Sequence, residues 1–380
     1  VSRKFFALWL AAVGASALLC AEPAPLLVYI PGSSGQVPQL QGWEVVPVRA
    51  VPDDSGIAAI ESAIETARKR REIDPVRTYI AGDGEGAAAV FYAASRRPDL
   101  WAAALALGGN PKAAIDTGRL FGGNTALVPV LWLVAGNESP LLRRSKEKLA
   151  AAGFNLKLLP QNTTLQEALA QLAGHSRYAT PSEVDCETGS LAFGRCYWVE
   201  ITKFDPGQRN DVLPTTRVVP GSGAGLAVGG FGFNPGAPGP GVLVEWLPDN
   251  YKGPLKLGDR IVAVAGKEIT DGYAYVNMMD DIQAEKRVGV ILQRGKERIR
   301  IETRIVLPQR SETFTARVQA RYFPDSKEVL VISRGVGELR LMLPEYWAPA
   351  GINWNGNQLG TADSAGCWVL APGQKARKCS

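Results

Sequence analysis

The stretch with the clearest chemical spacing is Gly82-Asp83-Gly84-Glu85-Gly86. It follows a β-branched and aromatic run, residues 77–81, and precedes an alanine-rich run, residues 87–96, that ends before Pro98. The glycine offsets are those of G-x-S-x-G, a sharp strand-to-helix turn that lifts its central side chain toward a substrate as the nucleophile. Here the central residue is Gly84, which has no side chain. Asp83 and Glu85 flank it, but only the centre of such a turn faces the site. The frame for nucleophilic attack is present without the hydroxyl or thiol that attack needs. Ser33 and Ser34, in Pro31-Gly32-Ser33-Ser34-Gly35, offer hydroxyls in a second glycine turn, where serine more often hydrogen-bonds its own loop.

A turn of this kind needs a buried sheet behind it. Residues 101–107 are an apolar run without polar alternation, as expected of a strand covered on both faces. Strand, helix and strand over 77–107 make a βαβ unit and predict a parallel sheet. Further strands are expected at 25–30, 43–48, 128–134 and 155–159. Helices are expected at 56–71, 141–152 and 164–173. In the first of these, Ile57, Ile60, Ile64 and Ala67 share a face, and Lys69, Arg70 and Arg71 suit the negative end of the helix dipole. Thr163 or Thr164 is the expected cap of the third. The alternation predicts a doubly wound α/β domain over residues 25–178.

The 380 residues exceed one typical domain. A hydrophobic content of 46% with 21% charged residues excludes a disordered chain. Residues 1–21 read as a secretory signal, with basic Arg3 and Lys4, an apolar stretch over 5–19 and small residues before Cys20 and Ala21. That stretch is short of the roughly 20 apolar residues of a membrane span, so membrane attachment is expected only if the segment stays uncleaved. Its removal lowers the formal charge from +5 to +3, too little to point to nucleic acid. Export to the periplasm or the medium permits disulfides. Beyond Cys20 the cysteines are Cys186, Cys196, Cys367 and Cys379. Four allow three pairings, of which the local one is expected, with Cys186 facing Cys196 across a hairpin and Cys367–Cys379 tying down the C-terminal tail. No C-x-x-C occurs and there is one histidine, so neither a metal site nor a cofactor is expected.

The order of parts around the 82–86 turn resembles the α/β-hydrolase superfamily over roughly residues 25–175, particularly exported serine esterases of the dienelactone-hydrolase and lipase type. The resemblance implies an oxyanion hole made by N–H groups near Ser33 and next to Gly84. It implies an acid after the strand ending at Ala135, where Glu138 stands. It also implies a histidine after the strand ending at Leu159, where Gln161 and Asn162 stand instead. The sole histidine, His175, lies one helix further on. Gly84, Glu138 and His175 are thus the relic positions of a catalytic set. Backbone donors alone leave residual catalysis far below that of a full triad.

A second signal runs from residue 223 to 307. Its core is Leu255-Lys256-Leu257-Gly258-Asp259-Arg260-Ile261-Val262-Ala263-Val264-Ala265-Gly266. Gly258 permits a turn, Asp259 can bond the turn backbone, and Ile261 and Val264 bury. A helix is expected over 273–284, then a hairpin through Arg294-Gly295-Lys296. This L-x-x-G-D-x-I-x-x-V-x-G pattern resembles a PDZ domain of the bacterial type, placed at residues 218–308. The resemblance implies capture of a peptide C-terminus by strand addition. Its carboxylate would sit on the backbone of Gly223-Ala224-Gly225-Leu226. Leu226 and Val228 would point into the pocket, with Val276 or Met279 as the other wall. The Gly- and Pro-rich insert at 229–240 departs from the pattern and would either cover the groove or lengthen a loop.

Strands expected at 183–187 and 195–202 lack partners, as do three strands over 315–343. They are assigned to one small β-sandwich, residues 182–210 and 311–372, interrupted by the PDZ-like segment, with 205–223 as a linker. Tyr197-Trp198 and Trp354-Asn355-Gly356 resemble elements of β-domains carried by some exported esterase-like proteins, and their aromatics are expected in a core. The fold class is multidomain α/β plus β. The function expected is an exported, non-catalytic binding protein for peptide or protein C-termini on a pseudo-hydrolase scaffold. The alternative is an ester or peptide hydrolase with an unorthodox site.

Overall fold

The computed structural model describes residues 22–33, 35–118, 120–134, 140–210, 216–219, 223–282 and 284–379. The expected signal segment with Cys20, and Ser34 and Glu138, lie outside them. The first body is a six-stranded parallel sheet of β1 (Ala24–Ile30), β2 (Glu44–Pro47), β3 (Ile73–Asp83), β4 (Ala103–Leu107), β5 (Val130–Leu133) and β6 (Leu156–Leu159). Its spatial order is β2-β1-β3-β4-β5-β6. The helices between its strands are α1 (Asp54–Arg70), α2 (Gly86–Arg96), α3 (Lys112–Gly118) and α4 (Pro140–Ala151), and α5 (Leu165–Ala173) follows β6.

Strand direction fixes the layers. Every crossover from β2 to β6 advances the same way across the sheet, so right-handed connections place α1 to α4 on one face. There Ile57, Ile60 and Ile64 of α1, the whole of α2 and Trp132 share one core. The step from β1 to β2 runs the opposite way. Its connection, with Leu40 and Trp43, covers the other face together with Ala168, Leu169 and Leu172 of α5. The caps are local. Asp53 accepts from the Gly56 N–H at α1, and Thr164 and Glu167 close a reciprocal capping box at α5.

A second core lies between two five-stranded sheets. One runs Asn357–Ala362, Ala350–Trp354, Glu328–Arg334, Ala316–Phe323, Glu183–Thr188. The other runs Arg377–Lys378, Gly366–Leu370, Val336–Leu343, Val199–Phe204, Arg195–Cys196. Trp198 meets Trp347 edge-on at 5.0 Å, and Tyr322 stacks on Trp347 at 4.4 Å. The Trp198 indole N–H donates to Pro181 O and that of Trp354 to Ser333 Oγ, so these buried aromatics satisfy their polar ends. Both cysteine pairs are bonded, Cys186–Cys196 and Cys367–Cys379. The first does not close a hairpin. Cys186 sits in one sheet and Cys196 in the other, because a helical turn, Leu191–Phe193, carries the chain from sheet to sheet.

The third sheet has the order Gly225–Leu226, Glu297–Val306, Lys286–Arg294, Arg260–Val264, Val242–Leu243, with Lys267–Glu268 added on Arg260–Val264. Helix α6 (Gly272–Asp280) packs on it around a core of its own. The stretch 205–223 is not all linker. Thr216–Val218 pairs antiparallel with Arg310–Glu312, so the chain leaves and rejoins the two-sheet body side by side. Gly258 has φ +84°, and the Lys256 N–H donates to Asp259 Oδ2 at 2.8 Å. The carboxylate, 1% exposed, also takes two hydrogen bonds from the Arg294 guanidinium, at 2.8 and 2.7 Å. Burial alone would push the Asp259 carboxyl up. The bonds from Arg294 and Lys256 outweigh burial and hold it below the ordinary carboxylate range.

Two outcomes test these joints. Replacing Cys186 and Cys196 together by alanine should cost about 3 kcal/mol, the loop-closure value for so short a separation, measured by urea unfolding. Arg294→Met should lower Tm by stranding the buried carboxylate, and adding Asp259→Asn should recover part of the loss. Because the Asp259 pKa is depressed on folding, wild type should lose this stabilisation as pH falls below about 4, and the Arg294→Met protein should not.

Candidate functional site

In a doubly wound sheet, ligands bind where strand order reverses, beyond the carboxyl ends of the strands. Here that point lies between β1 and β3, and residues 82–86 stand at it. The turn is built of close approaches. A Cβ on Gly82 would lie 2.9 Å from Gly86 O, one on Gly86 would lie 2.3 Å from Ile30 O, and one on Gly109 would lie 2.0 Å from Gly84 O. Gly84 itself has φ +52°, and its N–H donates to Leu107 O. A Cβ there would meet nothing nearer than Gly32 Cα at 3.9 Å. The centre of the turn is thus left-handed, as the G-x-S-x-G resemblance implies, with room for a side chain that Gly84 lacks.

The donor side is altered as well. The Gly32 N–H, next to Ser33 where the resemblance places an oxyanion donor, donates to Asp83 Oδ1 at 2.5 Å. Asp83 also accepts from the Tyr29 hydroxyl, and burial, reinforced by that carboxylate, pushes the phenol up to about 12. A fixed negative charge beside the would-be oxyanion position opposes the charge that acyl transfer develops. A cleft of about 1150 Å³ still opens beside the turn, lined by Pro31, Ser33, Val48, Ala50, Glu85 and Ala88 among others.

Of the relic positions, Glu138 lies outside the described residues, and Gly84 and His175 are far apart. The Tyr79 hydroxyl donates to His175 O, and the Arg177 N–H donates to Val76 O. Val76 precedes Gly84 by eight residues of β3, about 26 Å of extended strand, so His175 belongs to the far end of the sheet. Burial, and then Lys157, hold its imidazole below the ordinary range. The helix α5 carries the chain away from the turn, which is why a histidine placed after it cannot serve there.

The second candidate site lies at α6. Gly223, Ala224, Val276 and Met279 line one pocket of about 500 Å³. Leu226 and Val228 do not. Their side chains are buried in the core of the third sheet. Ala227 donates its N–H to Arg304 O and accepts from Thr303 Oγ1 at its carbonyl, so the peptide groups of Leu226 and Val228 face the free edge while both side chains lie on the sheet face that the core covers. That edge is occupied. The Tyr251 hydroxyl donates to Val228 O at 2.5 Å. Burial raises the Tyr275 phenol to about 12, and the Leu226 backbone pulls against that rise. The insert covers α6 from above. Phe231 and Phe233 lie 6.3 and 5.5 Å from the Tyr275 ring, and a Cβ on Gly272 would lie 2.5 Å from Pro235 Cα. The other side of the pocket comes from α3 and α4, through Lys112, Ile115, Arg144 and Lys148. Sequence reasoning missed this wall. Its one signal was the spacing of Arg144 and Lys148, which puts both on one face of a helix.

No protein-family profile matches the sequence, and no curated protein matches it. Similar solved structures include esterases that overlap part of it. A thermostable esterase is 16% identical over 41% of this chain and 56% of its own, with a TM-score of 0.28. A bacterial heroin esterase is 18% identical over 36% of this chain and 65% of its own, with a TM-score of 0.25. A phospholipase/carboxylesterase from Dyadobacter fermentans is 16% identical over 40% of this chain and 88% of its own, with a TM-score of 0.29. The chain spans under two thirds of the first two. Likeness at this level carries no argument about chemistry.

The geometry of the turn makes a differential prediction. Gly84→Ala should cost only about 1–2 kcal/mol, for its left-handed backbone. Gly86→Ala should cost about 3 kcal/mol or more, because its Cβ meets the Ile30 carbonyl. Thermal unfolding of the two variants separates these outcomes.

Proposed function

We propose that this chain is an exported, non-catalytic binding protein. Its α/β-hydrolase-like body serves as a scaffold without a nucleophile, and a PDZ-like unit captures the C-terminus of a peptide or protein. The observation that carries the reading is the shared pocket of Gly223, Ala224, Val276 and Met279. These are four of the positions that peptide capture requires, contributed by a glycine loop and by the face of α6. Two disulfides fit an oxidising compartment. No helix among the described residues is long and apolar enough to cross a membrane.

In this reading the terminal carboxylate sits on the 223–226 backbone and the last side chain against Val276 and Met279. Continued strand addition along 226–228 must displace the hydroxyls of Tyr251 and Tyr275. Binding is therefore weaker than an open edge would give. Peptides with a free C-terminus should bind the full chain in calorimetry and their amides should not. Equal binding of the two sets would sink carboxylate capture. Tyr251→Phe with Tyr275→Phe should tighten binding about tenfold, the worth of one or two hydrogen bonds no longer broken.

A second reading, hydrolysis at an unorthodox site, is favoured by the open cleft that holds Ser33. It requires labelling of wild type by a serine-reactive phosphonate at Ser33 or Ser34. The binding reading expects no label.

A further inference from the structure

The pocket at α6 is rich in cations along one wall. Arg144 and Lys148 of α4, Lys112 of α3, and Arg310 all line it. Facing them, α6 ends in two acids. Lys112 Nζ lies 3.7 Å from Asp280, and an Arg144 Nη lies 3.3 Å from Asp281. Acids at a helix C-terminus are disfavoured by its dipole, so these ion pairs answer the basic faces of α3 and α4 and do little for α6 itself. Among the described residues, four cations and two aspartates stand about the pocket, and Lys148 and Arg310 add to the two paired cations. The Arg144 Nε is buried with no hydrogen-bond partner among the described residues, although its guanidinium reaches Asp281. A buried unpaired donor of this type is costly unless something accepts from it. The planar fork of arginine matches a carboxylate, and a partly enclosed basic pocket concentrates anions.

We propose that this pocket is a composite anion site, shared between the α/β body and the 223–226 loop, whose ligand is a chain ending in Asp or Glu. The α-carboxylate takes the loop N–H groups. The carboxylate of the last side chain takes Arg144 and Lys148. The proposal rests on the reading of the loop as a C-terminus site. It adds that the pseudo-hydrolase body is part of the recognition surface and sets its specificity.

The test uses the full chain and four short peptides of one sequence, ending in Glu or Gln, each as free acid and as amide. The Glu acid should bind at least tenfold tighter than the Gln acid. That gap should shrink below about threefold in Arg144→Gln and in Lys148→Gln, the second being exposed and safe for folding. Equal binding of the two acids, with both amides failing, would overturn the composite site and leave C-terminus capture standing. A gap that persists in both variants would likewise remove Arg144 and Lys148 from recognition. Binding of the Glu amide as tight as that of the Glu acid, or no binding by any peptide, would overturn both.

Discussion

Backbone segments crowd together at the point where strand order reverses, and the α/β body is arranged around that contact. Gly82 and Gly86 let α2 start directly against the end of β1, with no space for a Cβ between Gly86 and Ile30 O. Gly109 lets the loop after β4 rest on Gly84 O. These approaches hold the turn in the shape that presents a nucleophile, and they do so whether or not one is present. Gly84 is the exception among them, because its missing Cβ would stand in open space. The absence of a side chain there is not forced by packing. The Asp83 carboxylate takes the Gly32 N–H beside it and ties the two glycine turns together.

The β-rich part solves a different problem, that of exposed strand edges. Two sheets share one aromatic core and are bonded across by Cys186–Cys196. The third sheet leaves Gly225–Leu226 with one neighbour. Tyr251 and Tyr275 meet the backbone on the side that is left over, and Phe231 and Phe233 pack on Tyr275. An edge closed in this way resists indiscriminate strand pairing. The pocket beyond it stays open, and it opens toward the cations of α3 and α4.

Much of this was legible because the residues concerned act locally. The glycine spacing at 82–86 is readable since each outer glycine answers a contact within the turn or with the adjoining strand. Gly258 and Asp259 act within a few residues of each other, and the left-handed glycine and the bond to the Lys256 N–H are as expected. What escaped depends on long-range placement. Arg294 reaches Asp259 from 35 residues away. The Cys186–Cys196 bond joins two sheets although ten positions separate the cysteines. Helix α3 is short and lacks an apolar period. Leu226 and Val228 were expected at the pocket from the PDZ resemblance alone, and their side chains lie in the core of the third sheet. His175 was placed by order along the chain, and order does not fix the end of the sheet at which a residue arrives.

Amide chemical-shift mapping tests most directly where a ligand is held. A free-acid peptide would be titrated into the isotopically labelled full chain. Capture at the glycine loop predicts that the Gly223, Ala224 and Gly225 amides shift first and furthest, together with Val276 on α6, while the 82–86 turn stays still. Shifts centred on Gly32, Glu85 and Gly86, with the loop unmoved, would contradict it and return the function to the cleft beside Gly84.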